Sequence, residues 1–205
     1  MKEYRDHYFL KAKRENFPAR SVYKLQELDA KFKLLRPGLK LLDLGAAPGS
    51  WSLWAAQKVG STGLVLACDL KTIDIALPPQ VKFFQEDILN ISPNFAEHLQ
   101  QLGPFDLVLS DMAPSTTGNK FTDQTRSFTL ATQAFDVACL NLKPGGKFVV
   151  KIFMGGEAQE LLRNLKQTFA QVKAFKPKSS RAESKETFFT ALGFHGATGG
   201  LKEQT

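Results

Sequence analysis

Five short apolar runs alternate with segments of helical periodicity along this chain, and this alternation most constrains what it can fold into. The runs are rich in Leu, Val, Ile and Phe with few interruptions, as is typical of strands buried on both faces. Strands that alternate with helices form a mostly parallel sheet with helices on both sides. The runs are LKLLDLG (39–45), GLVLACDL (63–70), VKFFQEDI (81–88), FDLVLSDM (105–112) and KFVVKIFM (147–154).

The segments between these runs predict the covering helices, and two further strands close the sheet. QVKAFKP (171–177) and ETFFTALGF (186–194) have strand character, and the last strand is a candidate for an antiparallel orientation. LKPGG (142–146) is predicted as the turn that leads into the fifth strand. Helices are predicted over about 18–33, 51–59, 93–102, 123–142 and 157–169.

The domain organisation is predicted to be simple. The chain of 205 residues contains no repeat or linker, so we expect one domain over 1–195, with a basic helical extension (1–36) packed on it and a disordered tail (196–205). No apolar run approaches the ~20 residues that cross a bilayer, and the charged first segment is unlike a secretory signal. Cys68 and Cys139 lie in apolar runs without metal-ligand spacing. We therefore expect a cytoplasmic monomer with no metal and no membrane contact.

The positive charge of the chain is concentrated at its two ends. Residues 1–36 carry ten Lys and Arg against five Asp and Glu, and residues 173–205 carry six against three. The middle of the chain is nearly balanced, with a formal net charge of +7 for the whole. Basic flanks are often only solvated surface, but if the fold brings these two together they form one positive face suited to phosphates.

Lys151 interrupts the apolar run FVVKIFM (148–154). A lysine that loses its water is costly unless a partner charge compensates. One interpretation is a strand end, where the apolar stem is buried and the amine reaches solvent. The other interpretation is that the Lys151 amine points into a functional site.

The ends of the first three strands carry residues that suit an adenosine-containing ligand. The first strand runs into GAAPG, in which Gly45 and Gly49 allow backbone amides to approach a ligand closely. Asp69 ends the second strand, where a carboxylate accepts both ribose hydroxyls, and Asp87 follows the third, placed for an adenine amino group. Taken singly, each is better explained as a turn or a cap. Together they favour a ligand, although the spacing is not the G-x-G-x-x-G of dinucleotide enzymes.

LLDLGAAPGSWS, ACDL, LVLSDMAP and FVVKIF resemble the motifs of the FtsJ family, the S-adenosylmethionine-dependent RNA ribose 2′-O-methyltransferases. The similarity extends to ARSVYKLQEL near the start and KPKSSRAESKETFF near the end, so it spans roughly residues 4–192. It implies a Rossmann-like class I methyltransferase with a mostly parallel seven-stranded sheet. It also implies a catalytic Lys-Asp-Lys-Glu tetrad at Lys24, Asp111, Lys151 and Glu186.

The resemblance carries three further expectations about the site. Lys151 would steer and deprotonate the 2′-hydroxyl, with Asp111 near both it and the sulfonium, while Lys24 and Glu186 complete the hydrogen-bond network. The cofactor S-adenosyl-L-methionine would contact Gly45, Ala46, Pro48, Gly49, Trp51, Asp69, Leu70, Asp87, Ile88 and Asp111. RNA phosphates would contact Arg5, Lys11, Lys13, Arg14, Arg20, Lys178 and Arg181 from the basic flanks.

The expected substrate is ribosomal RNA. SDMAP and the absence of extra domains are most similar to the bacterial members that methylate a uridine of 23S rRNA, within the large ribosomal subunit or its precursor. A tRNA-directed member of the same family is the alternative. Two other classes stay open at this stage, namely a nicotinamide-dependent oxidoreductase and a non-catalytic RNA-binding assembly protein. The segment 112–122, MAPSTTGNKFT, is a candidate lid beside the cleft.

Overall fold

The computed structural model describes the backbone of residues 2–181 and 183–196, and the side chains of these residues from residue 7 onward. Seven strands form one sheet in the order β3-β2-β1-β4-β5-β7-β6. Strands β1 to β5 are mutually parallel, and β7 runs antiparallel to both of its neighbours. The strands are β1 (Lys40–Leu44), β2 (Leu64–Asp69), β3 (Val81–Gln85), β4 (Phe105–Ser110), β5 (Leu142–Phe153), β6 (Phe169–Phe175) and β7 (Glu186–Phe194).

The described residues form six helices, and the first two come from the basic N-terminal segment. Of the described helices, none is long and apolar enough to cross a membrane. Residues 197–205, most of the predicted tail, lie outside the described part of the chain. The helices are α1 (Lys2–Arg14), α2 (Val22–Phe32), α3 (Ser50–Val59), α4 (Pro93–Leu102), α5 (Lys120–Asn141) and α6 (Ala158–Thr168).

The two faces of the sheet bury separate cores, because successive strand side chains point to opposite sides. In β5, Phe148 and Val150 belong to the core under α4, α5 and α6. Val149 belongs to the core under α2 and α3. By the same alternation, Lys151 points toward the face that α2 covers. The strand period therefore places this lysine on the side where the N-terminal basic segment packs.

The predicted elements are confirmed, with several shifted boundaries. Strand β3 ends three residues before its predicted end, and β6 spans Phe169–Phe175, two residues earlier than predicted. LKPGG is not a turn before β5 but an irregular part of the strand: Phe105 pairs with Leu142 and Leu107 with Lys147, so β5 holds three additional residues there. Helix α5 begins three residues earlier than predicted, because the Asn119 side chain accepts a hydrogen bond from Thr122 N and caps it.

The segment 18–21 is not helical, although its pattern predicted the first turn of a helix. Its backbone groups bind the start of α3 instead. Ala19 N donates to Ser50 Oγ at 2.8 Å, and the Trp51 indole donates to Ser21 O at 2.9 Å. These tertiary hydrogen bonds fix where α2 begins, and thereby the position of Lys24, which is one helical turn further along.

Candidate active site

Strands β5 and β7 place Lys151 and Glu186 on the same face of the sheet, near the carboxyl end of β5. In the antiparallel register, Lys151 is opposite Phe188 and Phe153 is opposite Glu186. Lys151 and Glu186 are therefore diagonal neighbours, two positions apart across the pair, which is within reach of long side chains. Both are buried, at 6% and 8% exposure. Two charges this deeply buried require partners.

Lys24 supplies one partner from α2. Its Nζ lies 2.8 Å from Glu186 Oε1 and 2.9 Å from Oε2, which is a bidentate ion pair. The same Nζ lies 3.9 Å from Asp111 Oδ1 and 5.8 Å from the centre of the Phe188 ring. The basic N-terminal segment and the last strand thus meet through this one lysine.

Asp111 follows the end of β4 and supplies the other partner. Lys151 Nζ lies 2.9 Å from Asp111 Oδ1, and it donates a hydrogen bond to the main-chain oxygen of the same residue. The contact to Oδ1 is a charge contact without hydrogen-bond alignment. Two ammonium groups therefore share one carboxylate, and two carboxylates balance them. The four side chains predicted as a tetrad are assembled into one charge network.

The network opens into a cavity of about 560 Å³, which we call the tetrad cavity. Lys24, Lys151 and Glu186 line it, together with Arg20 and Arg181 from the two basic flanks. A space of this size suits a ligand on the scale of a nucleotide. The arrangement provides an amine at the bottom of a cleft with cations around its mouth.

The GAAPG loop connects β1 to α3 and depends on its glycines for its own shape. Gly45 and Gly49 have φ angles of +83° and +105°, which side chains rarely adopt. A Cβ at Gly45 would lie 2.6 Å from Met112 Cγ, and one at Gly49 would lie 3.0 Å from Ile75 Cδ1. The space that a side chain would fill is therefore already taken by the protein.

The backbone amides of this loop correct one expectation. We expected them to face a ligand, but Gly45 N and Ala46 N both donate to Cys68 O, at 2.9 and 3.1 Å, and Gly49 N donates to Ala46 O at 2.7 Å. Pro48 is exposed at the tip of the loop and has no N–H to offer. The loop is thus a rigid platform, held against the end of β2 by its own donors.

The carboxylate of Asp69 also holds this platform. Its Oδ2 accepts a hydrogen bond from Ala47 N and its Oδ1 accepts one from Lys71 N, both at 2.9 Å. Each oxygen of a carboxylate has a second lone pair, so capacity for ribose hydroxyls remains. Leu70, the next residue, exposes 64% of its surface beside this carboxylate. An exposed apolar side chain beside a carboxylate that can bind ribose hydroxyls is suited to pack against the flat face of a nucleobase.

Asp87 lies two residues beyond β3 and is partly exposed. Its Oδ1 accepts a hydrogen bond from Leu89 N at 2.9 Å, which leaves Oδ2 for a ligand. Ile88 is 5% exposed and belongs to the core, so its side chain contributes packing there. The three carboxylates at the ends of β2, β3 and β4 lie along the same edge of the sheet, which is where open sheets of this kind bind their ligands.

Trp51 differs from its predicted role. The side chain is 3% exposed, stacks at 5.9 Å against Phe188, and uses its indole N–H for Ser21 O. Any contact with a cofactor would therefore come from the Trp51 backbone. The side chain instead holds the N-terminal segment, and with it Lys24, against the sheet.

Asp43 is a functional candidate that sequence reasoning missed. It is 1% exposed in the middle of β1, its Oδ2 accepts a 2.6 Å hydrogen bond from Ser52 Oγ, and its Oδ1 has no partner among the described residues. Burial raises the pKa of this carboxyl to about 7, with a smaller contribution from the charges of Asp111 and Asp69 and an opposing one from the Ser52 hydrogen bond. An acidic residue inside the apolar run LLDLG was the available signal.

The loop after β4 is held to α5 by a second residue that the sequence did not single out. Asp123 Oδ1 accepts hydrogen bonds from Thr117 N at 2.8 Å and from Thr117 Oγ1 at 2.9 Å. The pKa of Asp123 lies below its usual value, chiefly because the backbone N–H of Thr117 stabilises the carboxylate. The predicted lid is thus tied near its midpoint, next to the tetrad cavity.

The predicted RNA contacts fall into separate places. Arg20 and Arg181 line the tetrad cavity, whereas Lys11 and Lys178 line a second groove between α1, α2 and β6. Lys13 and Arg14 line a different hollow on α1. Arg5 falls within α1, but its side chain lies outside the described part of the structure.

A doubly wound sheet with carboxylates at the carboxyl ends of β2, β3 and β4, beside a lysine–carboxylate network, defines a Rossmann-like methyltransferase that uses S-adenosylmethionine. The geometry fits this cofactor, because Asp69, Leu70 and Asp87 line the sheet edge that leads to Asp111. The similarity to known proteins identifies the family more narrowly.

The model of the family described as "FtsJ-like methyltransferase" matches residues 17–194 of this chain. A protein of Nitratidesulfovibrio vulgaris strain DP4, named ribosomal RNA large subunit methyltransferase E, is 61% identical over 196 residues, covering 96% of each chain. A protein of the same name from Oleidesulfovibrio alaskensis is 59% identical, covering 96% of this chain and 95% of its own. A crystal structure of a Plasmodium falciparum protein assigned as a ribosomal RNA methyltransferase is 29% identical, with a TM-score of 0.77, covering 88% of this chain and 100% of its own.

This chain belongs to the FtsJ-like methyltransferase family. The predicted family and the predicted α/β fold are confirmed. The family assignment also favours the predicted methyltransferase over the oxidoreductase that the sheet alone had left open.

Proposed function

We propose that this chain methylates the 2′-hydroxyl of a uridine in 23S rRNA, with S-adenosylmethionine as the methyl donor. The observation that carries the proposal is the contact of Lys24, Asp111, Lys151 and Glu186 in one network at the base of a cavity. The names of the relatives favour large-subunit ribosomal RNA as substrate. An RNA substrate of this kind also favours a cytoplasmic location.

The cofactor would lie along the sheet edge, with its ribose on Asp69, its adenine near Leu70 and Asp87, and its sulfonium toward Asp111. When bound, it supplies a methyl group on a positively charged sulfur, which is a strong electrophile. The protein's remaining tasks are to align the nucleophile at ~3–3.5 Å and to take its proton. Methyl transfer forms an oxygen–carbon bond, breaks the sulfur–carbon bond and leaves S-adenosylhomocysteine.

Lys151 is the residue we assign to the 2′-hydroxyl. Its amine is buried, fixed in direction by two contacts to Asp111, and lines the tetrad cavity. Only a neutral amine can accept the hydroxyl proton, so the Lys151 ammonium must release its own proton to solvent before the methyl group is transferred. Lys24 and Glu186, paired with each other, hold the ribose in place and keep α2 against β7. A positioned base contributes ~10²–10⁴-fold to a step of this type.

The first test uses labelled donor with the purified protein on large ribosomal subunits, free ribosomal RNA and tRNA. We expect 2′-O-methyluridine in ribosomal RNA, identified by mass spectrometry of nuclease digests. Methylation of tRNA alone would favour the alternative member of the family, and transfer to none of these RNAs would refute the proposal.

The second test concerns the role of Lys151. Lys151→Ala should lower kcat by ~10²–10⁴-fold while cofactor binding, measured by calorimetry, stays close to that of the wild type. Lys147→Ala is the matched control, because Lys147 lies on the same face of the same strand, four residues before Lys151, where its amine donates to Lys33 O. Full turnover by Lys151→Ala would show that another group accepts the proton.

A further inference from the structure

A groove outside the tetrad cavity runs between α1, α2 and β6, with a volume of about 620 Å³. We call it the lysine groove, because the ammonium-bearing side chains Lys11, Lys31 and Lys178 line it, with Tyr23 and Phe175 among its aromatic residues. Its one acidic lining residue, Glu27, is engaged by the backbone: its two oxygens accept hydrogen bonds from Lys178 N at 2.6 Å and Ser179 N at 2.8 Å. The groove therefore presents a net positive surface.

Aromatic rings hold two of these lysines in position. Lys31 Nζ lies 4.3 Å from the centre of the Phe175 ring, and Lys11 Nζ lies 4.6 Å from the centre of the Tyr23 ring. Phe175 is itself fixed by an edge contact with Phe32 at 5.8 Å. Within the described part of the chain, Lys31 has no acidic partner, whereas Lys11 Nζ also lies 3.9 Å from Glu15 Oε1 in an exposed pair. A cation–π contact restrains an ammonium group without neutralising it, so the charge of Lys31 stays available to an anion.

The lysine groove and the tetrad cavity share a wall. Arg20 lines the tetrad cavity, donates to Ser179 O at 2.6 Å, and places its guanidinium 5.6 Å from the centre of the Tyr8 ring, which lines the groove. Lys178 lines the groove and the next residue, Ser179, lines the cavity. Consecutive Cα atoms are only 3.8 Å apart, so a polymer leaving the cavity over Arg20 enters the groove directly.

From this continuity we infer that the lysine groove binds the phosphates of the RNA segment next to the target nucleotide, with Lys31 as a contact that the sequence did not reveal. The inference rests on the proposed function, because it takes the polymer in the tetrad cavity to be RNA. The aromatic residues here have a positioning role, since Lys31 covers the face of Phe175 and Tyr23 is 3% exposed. The lysine groove thus contacts phosphates, whose positions are the same for every sequence, and does not distinguish one base from another.

The test is the salt dependence of RNA binding by Lys31→Gln and by the double variant Lys11→Gln/Lys31→Gln. Each lost phosphate contact lowers the slope of log Kd against log salt by ~0.7 for single-stranded RNA, so the loss of affinity relative to the wild type is ~5-fold larger at 0.1 M than at 1 M salt. We expect slope decreases of about 0.7 and 1.4. Lys166→Gln, an exposed lysine on α6, is the matched control and should keep the wild-type slope.

Truncated RNAs locate the contact. When the substrate is shortened on the side that occupies the groove, wild type and Lys31→Gln should bind equally, because the phosphate is gone. Slopes that match the wild type on long RNA would overturn the inference. A deficit that survives truncation on both sides would also overturn it, because the substitution would then act on RNA in the tetrad cavity and not on the flanking phosphates. Binding is measured without methyl transfer, so a wild-type protein that binds RNA but transfers no methyl group would contradict the proposed function instead.

Discussion

Replacing Asp43 with Asn tests whether the buried carboxyl under the GAAPG loop is protonated in the folded protein. The side chain is 1% exposed and has one hydrogen bond, from Ser52 Oγ. Asn has nearly the same shape, and its carbonyl oxygen can accept that hydrogen bond, but it has no charge at any pH. The substitution therefore removes the titration and little else.

The magnitude follows from the pKa of about 7 in the folded protein, against 3.8 for an ordinary aspartate. Between these values the folded state holds a proton that the unfolded state has released. The free energy of unfolding therefore decreases as the pH rises from about 4 to about 7, and it levels off above that range. About three pKa units at 1.36 kcal/mol each give a total of ~4 kcal/mol.

The assay is urea unfolding of wild type and Asp43→Asn at pH values from 4.5 to 8. Every other titratable group is common to both proteins, so the difference between the curves isolates Asp43. We expect the variant to gain stability relative to the wild type as the pH rises, by up to ~4 kcal/mol. Ser52→Ala should extend the wild-type decline to higher pH, because it removes the hydrogen bond that lowers the pKa of Asp43. Parallel curves for wild type and Asp43→Asn would refute the reasoning.

Two further substitutions test how the active site is held. Trp51→Phe removes the indole donor of the Ser21 main-chain carbonyl and should lower the free energy of unfolding in urea by ~1–3 kcal/mol. Trp54→Phe is the control, because the Trp54 indole N–H has no hydrogen bond among the described residues. An equal loss of stability in both variants would show that the hydrogen bond to Ser21 is not the cause. Asp123→Ala releases the loop 112–119 and should speed proteolysis within it. Asp136→Ala, on the same helix, should leave the cleavage rate unchanged, and equal rates in the two variants would show that Asp123 does not tether the loop.

The sequence predicted the strands well because their signal is local. Apolar runs of five to eight residues followed by helical periodicity located the strands and helices to within a few residues, and α4 and β7 agree with the prediction at both ends. Two of the boundaries that moved depend on distant groups. The 18–21 segment lost its helical turn to hydrogen bonds from α3, 30 residues away, and LKPGG joined β5 because β4 pairs with it.

The site was predicted partly from residue chemistry and partly from resemblance, and the structure changes how several residues take part. Asp69 and Asp87 could be predicted as ligand contacts because carboxylates at strand ends are visible in the sequence. The packing role of Trp51 was not visible, since it depends on contacts with Ser21 and Phe188. The role of Lys31 was also hidden, because its ring partner Phe175 is 144 positions away in the chain.

The sequence by itself determined which side chains alternate between the two faces of the sheet, because a strand has a fixed period of two residues. It also determined that basic residues cluster at both ends of the chain. Only the tertiary structure decided that Lys24 would meet Glu186 at 2.8 Å across 162 positions. That contact depends on the register of β5 against β7 and on where α2 begins. A slip of one residue in that register would turn Glu186 to the opposite face and separate the pair.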